Sequence, residues 1–352
     1  MKKLRVLVVG CGYMGMSHAR AYKKNENFEI AGVVSRGPSR NKLADELGIA
    51  ERFANYEEAL TAVRPDVVSI CTYPDTHADY AIKALNAGAH VFVEKPIGCT
   101  VAQAEKVIET ARRNSWKLVV GYILRQHPAW IKFIELAHTL GKPLVMRMNL
   151  NQQSSGDQWN THKNLMQSLP PIVDCGVHYV DVMCQMTRSK PVRVSAVGAR
   201  LSDEITPGMY NYGQLQVTFA DGSVGWYEAG WGPMMSETAF FVKDVIGPDG
   251  AVSMVGAKDV ASSNVDAHTR TNRLLVHPGK LDRNNCFIAT DQFIDMDNEP
   301  VHQELCDREQ QFLWETIVRD IDLSEHWEDA VNSMKIVLAA DEAFKTGKTI
   351  KL

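Results

Sequence analysis

The stretch "VLVVGCGYMGMSHA", residues 6–19, decides how the rest of the chain is read. Val6 to Val9 form a short unbroken apolar run bounded by glycine, which reads as a strand buried on both faces. From Met14 onward the apolar spacing becomes helical. Between the two stand Gly10, Gly12 and Gly15, a G-x-G-x-x-G spacing. Gly10 permits a tight turn, Gly12 lets a pyrophosphate approach the main chain, and Gly15 lets helix and strand pack closely while the helix N-terminus faces the anion. Alone the motif is weak, and a glycine-rich turn in some other α/β domain competes with it. With a strand before it and a helix after it, it predicts a dinucleotide-binding βαβ unit whose loop, Gly10, Cys11, Gly12, Tyr13, Met14 and Gly15, touches the cofactor.

The first 124 residues continue the alternation. Residues 28–35, 65–72, 90–95 and 117–122 read as strands. Residues 40–48, 56–63, 76–88 and 100–114 read as helices, with Thr76 as an N-cap and Gly88 just past the end of its helix. Val/Ile-rich runs separated by amphipathic helices predict a parallel sheet covered on both faces. The fold class is therefore α/β, with a doubly wound Rossmann domain over residues 1–124. After that the pattern changes. Helices are expected at 128–141 and 172–186, strands at 143–152, 192–201, 212–231 and 239–256, and closing helices near 300–320 and 327–346. "ADGS" and "GPDG" read as hairpin turns. Residues 125–352 are expected to form an α+β domain with a largely antiparallel, open-faced sheet.

Composition narrows the class. The chain has 352 residues, 45% hydrophobic and 23% charged, enough for two ordinary globular domains. A net charge of -4 and a pI near 6.3 argue against a nucleic-acid partner. The seven cysteines contain no CxxC pair and read as reduced thiols, and no HExxH or clustered His/Cys set suggests a metal. The apolar run in "MKKLRVLVVG" is too short for a signal peptide. No stretch approaches the roughly 20 apolar residues of a membrane span. The expectation is a cytoplasmic protein with no membrane partner.

The end of the second strand bears on the cofactor. An NAD enzyme commonly puts Asp or Glu about 20 residues after the glycines, to hold the ribose 2′-hydroxyl. In "VVSRGPSRNK", residues 33–42, Ser35 stands at that position, with Arg36 beside it and Arg40 close behind. A ribose 2′-phosphate then meets no like charge, and Arg36 can pair with it or stack on the adenine. NADP(H) is favoured and NAD(H) possible. The competing reading is a pair of surface arginines at a helix start.

Ligands of doubly wound sheets bind outside the carboxyl ends of the strands. Two such ends carry chemistry, "CTYPDTH" at 71–77 and "HVFVEKPIG" at 90–98. "GYILRQHP" at 121–128 and a D-x-x-x-H at Asp174 and His178 follow. In this order the motifs resemble those of the glucose–fructose oxidoreductase, inositol dehydrogenase and rhizopine-catabolism (Gfo/Idh/MocA) family, over essentially the whole chain. The resemblance implies that Thr72, Tyr73, Pro74 and His77 lie along the cofactor and that Glu94 helps fix its ribose end. It implies that Lys95, ahead of a peptide bond that is often cis, reaches both nicotinamide and substrate. It implies that His178 moves the hydroxyl proton as general base or acid, with Asp174 orienting the substrate or the histidine.

The residues themselves leave some choices open. Asp174, His178 and Asp181 share one helix face, and a structural His–Asp pair is the alternative. Tyr122 and Arg125 are candidate substrate contacts, with an ion pair of the fold as the alternative for Arg125. Trp159 stands near the place where many members carry a Trp-Arg pair at the nicotinamide, yet Asn160 follows it. Trp226 and Trp231 suit a core or an interface equally. Leu169, Pro170 and Pro171 replace a glycine-rich stretch, so the substrate is not transferable from any one member. The expected function is hydride transfer to or from a secondary alcohol of a sugar, cyclitol or derivative. The open face of the C-terminal sheet, carrying "LQVTF" and "VGWYEAGW", reads as too apolar to leave in water, so a dimer or tetramer joined through that face is expected. A glycosidase working by transient oxidation and a non-catalytic cofactor-sensing regulator are the alternatives.

Overall fold

The computed structural model describes residues 2–236, 242–255 and 271–352. The chain divides into two compact units, Met1–Ile123 with Pro300–Val331, and Leu124–Glu299 with Asn332–Leu352. An uninterrupted second domain over 125–352 therefore needs correction: residues 300–331 return to the first unit.

In the first unit, strands β1 (Leu4–Val9), β2 (Phe28–Val34), β3 (Arg52–Phe53), β4 (Val67–Ile70), β5 (His90–Glu94) and β6 (Leu118–Gly121) form one parallel sheet. Its order is β3-β2-β1-β4-β5-β6, so the chain reverses direction across the sheet between β1 and β4. The last four residues of β1 and all of β4 and β6 are buried, as continuous apolar runs require. The crossovers are α1 (Tyr13–Lys24), α2 (Ser39–Leu47), α3 (Tyr56–Val63), α4 (Pro74–Asn86) and α5 (Val101–Asn114). Helix α4 begins two residues before Thr76. Pro74 occupies its first turn behind an extended Tyr73, because proline needs no donor there.

The second unit holds α6 (Pro128–Ala137), β7 (Val145–Gln153), α7 (Gly156–Leu165), α8 (Pro171–Asp174), α9 (Gly176–Thr187), β8 (Pro191–Ala199), β9 (Tyr212–Phe219), β10 (Val224–Gly232), β11 (Lys243–Gly247), β12 (Gly250–Val255), β13 (Arg273–Pro278) and β14 (Gln292–Asp295). The closing elements are α10 (His302–Val318), which belongs to the first unit, α11 (Ser324–Thr346) and β15 (Ile350–Lys351). Among the described residues, nine strands form one sheet in the order β14-β13-β12-β11-β7-β10-β9-β8-β15, antiparallel except for the β7–β10 pair. The two expected hairpins are present as β9–β10 and β11–β12. The ends of the strand expected at 239–256 lie outside the described residues. The single helix expected at 172–186 is two, α8 and α9, parted at Cys175.

The open face of this sheet is more polar than "LQVTF" suggests. Leu215, Val217 and Phe219 are buried, and their alternates Gln214, Gln216 and Thr218 take the other face. With them stand Val145, Val224 and half-buried Trp226, crossed by an Arg147–Asp244 ion pair. Among the described residues, no helix is long and apolar enough to cross a membrane.

Candidate active site

The glycine loop fits a dinucleotide on steric grounds. Gly10 has φ +95°, and a Cβ there would lie 2.4 Å from Cys71 O. A Cβ on Gly15 would lie 1.8 Å from Gly10 O, so helix and turn can touch only if both are glycine. Around Gly12 a Cβ meets nothing within 4 Å, which leaves the open side of the turn free for a ligand. Gly12 is also the N-cap of α1, with no side-chain cap and no acidic residue in the first turn. Main-chain donors there suit an anion. The Cys11 side chain turns inward to Val34 O, and burial pushes its thiol up to about 11, so it is not a nucleophile at neutral pH.

Two further strand ends flank the loop's sheet. Tyr13 and Tyr73 are 63% and 66% exposed at the heads of α1 and α4. His77 is buried, and its two ring nitrogens lie 2.7 Å from Pro96 O and 3.0 Å from Thr72 O. It therefore ties the Thr72 loop to the Lys95–Pro96 turn, whose peptide bond is cis. Burial holds the His77 pKa below its ordinary value. Glu94 is buried. Its Oε1 lies 2.7 Å from His18 Nε2, and its Oε2 accepts from the Lys95 amide at 3.2 Å. Lys95 is half-buried. Beyond β2, Arg36 is exposed, and Arg40 Nη1 donates to Ser35 O at 3.2 Å. Tyr122 is buried, with its ring against His326, centroids 6.1 Å apart.

In the second unit, Asp174 ends α8 as a buried carboxyl, and His178 follows one turn on as a half-buried imidazole. Pro170 and Pro171 start α8: Pro170 is its extended N-cap, and Pro170 O accepts from the Val173 and Asp174 amides. A proline at N1 costs no hydrogen bond, so the rigid pair sets the entry to this helix. Arg125 is engaged in a bidentate pair with buried Asp181, at 2.9 and 2.7 Å. Burial raises the Asp181 carboxyl above its ordinary range, and the guanidinium opposes that shift. Of the two readings of Arg125, this geometry supports the ion pair of the fold. Trp159 is buried and donates from Nε1 to Glu204 Oε2 at 3.3 Å, beside Lys163. Trp231 is core: its Nε1 donates to Gln152 Oε1 at 2.8 Å, and its ring stacks on His162 with centroids 4.4 Å apart. Gln152 also accepts from Cys175, the residue after Asp174, at 3.9 Å.

Residues 4–122 match the family described as "Oxidoreductase family, NAD-binding Rossmann fold" and residues 134–251 match the GFO/IDH/MocA C-terminal domain. The chain belongs to the Gfo/Idh/MocA family. D-glucoside 3-dehydrogenase of Escherichia coli (strain K12) is 30% identical over 186 residues, 51% of this chain and 52% of that protein. Inositol 2-dehydrogenase of Salmonella typhimurium is 27% identical over 186 residues, 51% of this chain and 53% of that protein. The chain thus spans about half the length of the curated relatives it matches. The crystal structure of scyllo-inositol dehydrogenase from Lactobacillus casei with bound NAD(H) and scyllo-inositol superposes with a TM-score of 0.78 over 99% of both chains at 20% identity, a likeness of fold.

As a Gfo/Idh/MocA chain, the protein carries the glycine loop after β1 and the Glu94–Lys95 pair at the end of β5, as expected, whereas Asp174 and His178 stand on two successive helices and not on one. Reading by motif missed the groups behind them. His18 on α1 and Gln310 on α10 stand behind Glu94, and Gln152, Trp231 and His162 stand behind Cys175. His18 had one signal, a histidine on the inward face of the helix opening at the glycines. Gln310 had none.

Proposed function

We propose that this chain is an NAD(P)-dependent oxidoreductase that moves a hydride between nicotinamide and a secondary alcohol of a sugar or cyclitol, with NADP(H) preferred. The glycine cradle carries the reading: nothing but glycine fits at 10 and 15, and the head of α1 is uncapped. A bound nicotinamide supplies the hydride acceptor or donor. The chain must then handle the proton and the charge. His178 takes the hydroxyl proton as the carbinol is oxidised, Asp174 orients the hydroxyls, and the Lys95 ammonium stabilises the developing alkoxide. The relatives named as glucoside, inositol and UDP-N-acetylglucosamine dehydrogenases point to polyhydroxylated substrates. A panel of sugars, glycosides and cyclitols, each with NADP+ and NAD+, tests this through the absorbance of reduced nicotinamide. Absence of both turnover and cofactor binding would sink it.

The cofactor preference rests on Ser35 and exposed Arg36. The bond from Arg40 to Ser35 O draws a second guanidinium to the same strand end. Arg36→Ala is expected to weaken NADPH binding by about 10-fold or more, the scale of a lost charge-assisted bond, and NADH binding by less than about threefold. Fluorescence titration of both reduced cofactors measures this. Equal weakening would reduce Arg36 to a surface for adenine stacking.

Self-association through the open sheet face is part of the same proposal. Val145, Val224 and Trp226 line a shallow depression there, with Arg147, Arg193 and Gln216 at its polar margin. Light scattering at micromolar concentration is expected to give a multiple of 39.2 kDa, and Trp226→Arg to shift the mass toward one chain. A wild-type mass of one chain excludes the assembly. The free cysteines fit a reducing compartment, and we assign the protein to the cytoplasm.

A further inference from the structure

The carboxylate that clamps the Lys95 peptide is itself held from behind. Glu94 sits at the end of β5 with one oxygen on the Lys95 amide, at 3.2 Å, and the other 2.7 Å from His18 Nε2. A bond to a carboxylate oxygen puts the ring proton on Nε2, which leaves Nδ1 as the acceptor. There Gln310 Nε2 approaches to 2.9 Å, from a helix 292 residues further along the chain. The His18 ring is 0% exposed and packs on Phe92 of β5, centroids 4.6 Å apart, so it cannot swing away. Glu309, the neighbour of Gln310, is also buried. Its Oε2 has no hydrogen-bond partner among the described residues. Burial and the nearby Glu94 push the Glu309 carboxyl well above its ordinary range. Both effects favour its protonated form.

We propose that Gln310, His18 and Glu94 form a chain of positioning residues that fixes the aim of Lys95, so that a helix from the far end of the sequence governs the reacting lysine. The role rests on the reading of Lys95 as the group that meets the substrate. Its physical basis is that a buried carboxylate held at both oxygens cannot reorient without breaking one of those bonds. The peptide it clamps is the one from which the lysine side chain springs. Residues 300–331 thereby acquire a task in the first unit beyond covering apolar surface.

Three variants and two readouts test it. His18→Leu removes the bond to Glu94, His18→Gln returns an amide donor near the place of Nε2, and Gln310→Ala removes the outer support. In His18→Leu, kcat is expected to fall about 10-fold or more, while KM for the alcohol and the Kd of NADPH stay within about threefold. His18→Gln should recover kcat to within about threefold of wild type, and Gln310→Ala should lie between. The second readout needs no substrate. Acylation of Lys95, followed by mass spectrometry against the other lysines, should quicken about threefold or more in His18→Leu and Gln310→Ala and stay unchanged in His18→Gln. Wild-type turnover and labelling in His18→Leu, or a His18→Gln as impaired as His18→Leu, overturns the chain. Should His18→Leu not fold, Gln310→Ala carries the labelling comparison, and unchanged Lys95 labelling there overturns it. If wild type oxidises no alcohol, the dehydrogenase reading fails by itself, and labelling still decides the positioning role.

Discussion

Replacing either Lys95 or His178 by alanine is expected to reduce turnover by about 100-fold or more, the usual scale for loss of a proton-transfer or charge-stabilising group. The two losses should differ in kind. Lys95 lies on the cofactor-binding unit, in the turn after β5, so Lys95→Ala should also weaken the reduced cofactor. His178 lies on α9 of the other unit, so His178→Ala should bind cofactor almost as wild type does. Asp174→Asn keeps the size of the side chain and one acceptor oxygen, and should retain more activity than either. Steady-state kinetics across pH, with a cofactor titration on each variant, separates these outcomes. A His178→Ala protein with near wild-type kcat and an unchanged pH profile removes His178 from proton transfer, and Lys95 or Tyr122 becomes the candidate acceptor.

The second large effect concerns stability. Lys243 opens β11 with only 2% of its surface exposed, and its Nζ lies 5.8 Å from the Tyr179 ring centre. Burial pulls its pKa down to about 7. An unfolded lysine keeps its proton to about pH 10.4. Between those values the unfolded chain binds more protons than the folded one, so wild-type stability rises with pH across that window. Near pH 7 the penalty is on the order of 4 kcal/mol, since a tenfold loss of proton affinity on folding costs about 1.4 kcal/mol. Lys243→Met keeps the length of the chain and removes the amine. It is expected to raise stability at pH 7 by on the order of 2–4 kcal/mol, roughly 3–5 °C in Tm for a chain of this length, with the gain vanishing near pH 10.4. Thermal unfolding of both proteins at the two pH values measures it. A destabilised variant at pH 7 would mean that contacts of the buried amine outweigh its desolvation.

Much of the cofactor unit was legible because its signals are local. A glycine without room for a Cβ, an apolar run with no polar interruption and a helix after each strand are properties of neighbours in sequence. The exceptions were local competitions that motif reading misjudged. Pro74 displaced Thr76 from the start of α4, because a ring-locked φ suits the first helical turn. The apolar letters of "LQVTF" suggested an apolar open face, yet the period of two sends Leu215, Val217 and Phe219 inward.

The sequence by itself determined the fold class, the family, the glycine turn after β1 and the candidate reacting groups, since each is written in residue types at short fixed spacing. Only the tertiary structure decided which partners those groups take. Arg125 is bound to Asp181, 56 residues away, and Trp231 to Gln152, 79 residues away. Glu94 is held by His18, and His18 by Gln310, across 76 and 292 residues. The return of residues 300–331 to the first unit belongs to the same class. The reason is physical: a buried charge or amide requires a partner, but many polar residues can serve. Which one arrives depends on how helices and strands pack in three dimensions, and no pattern along the chain encodes that choice.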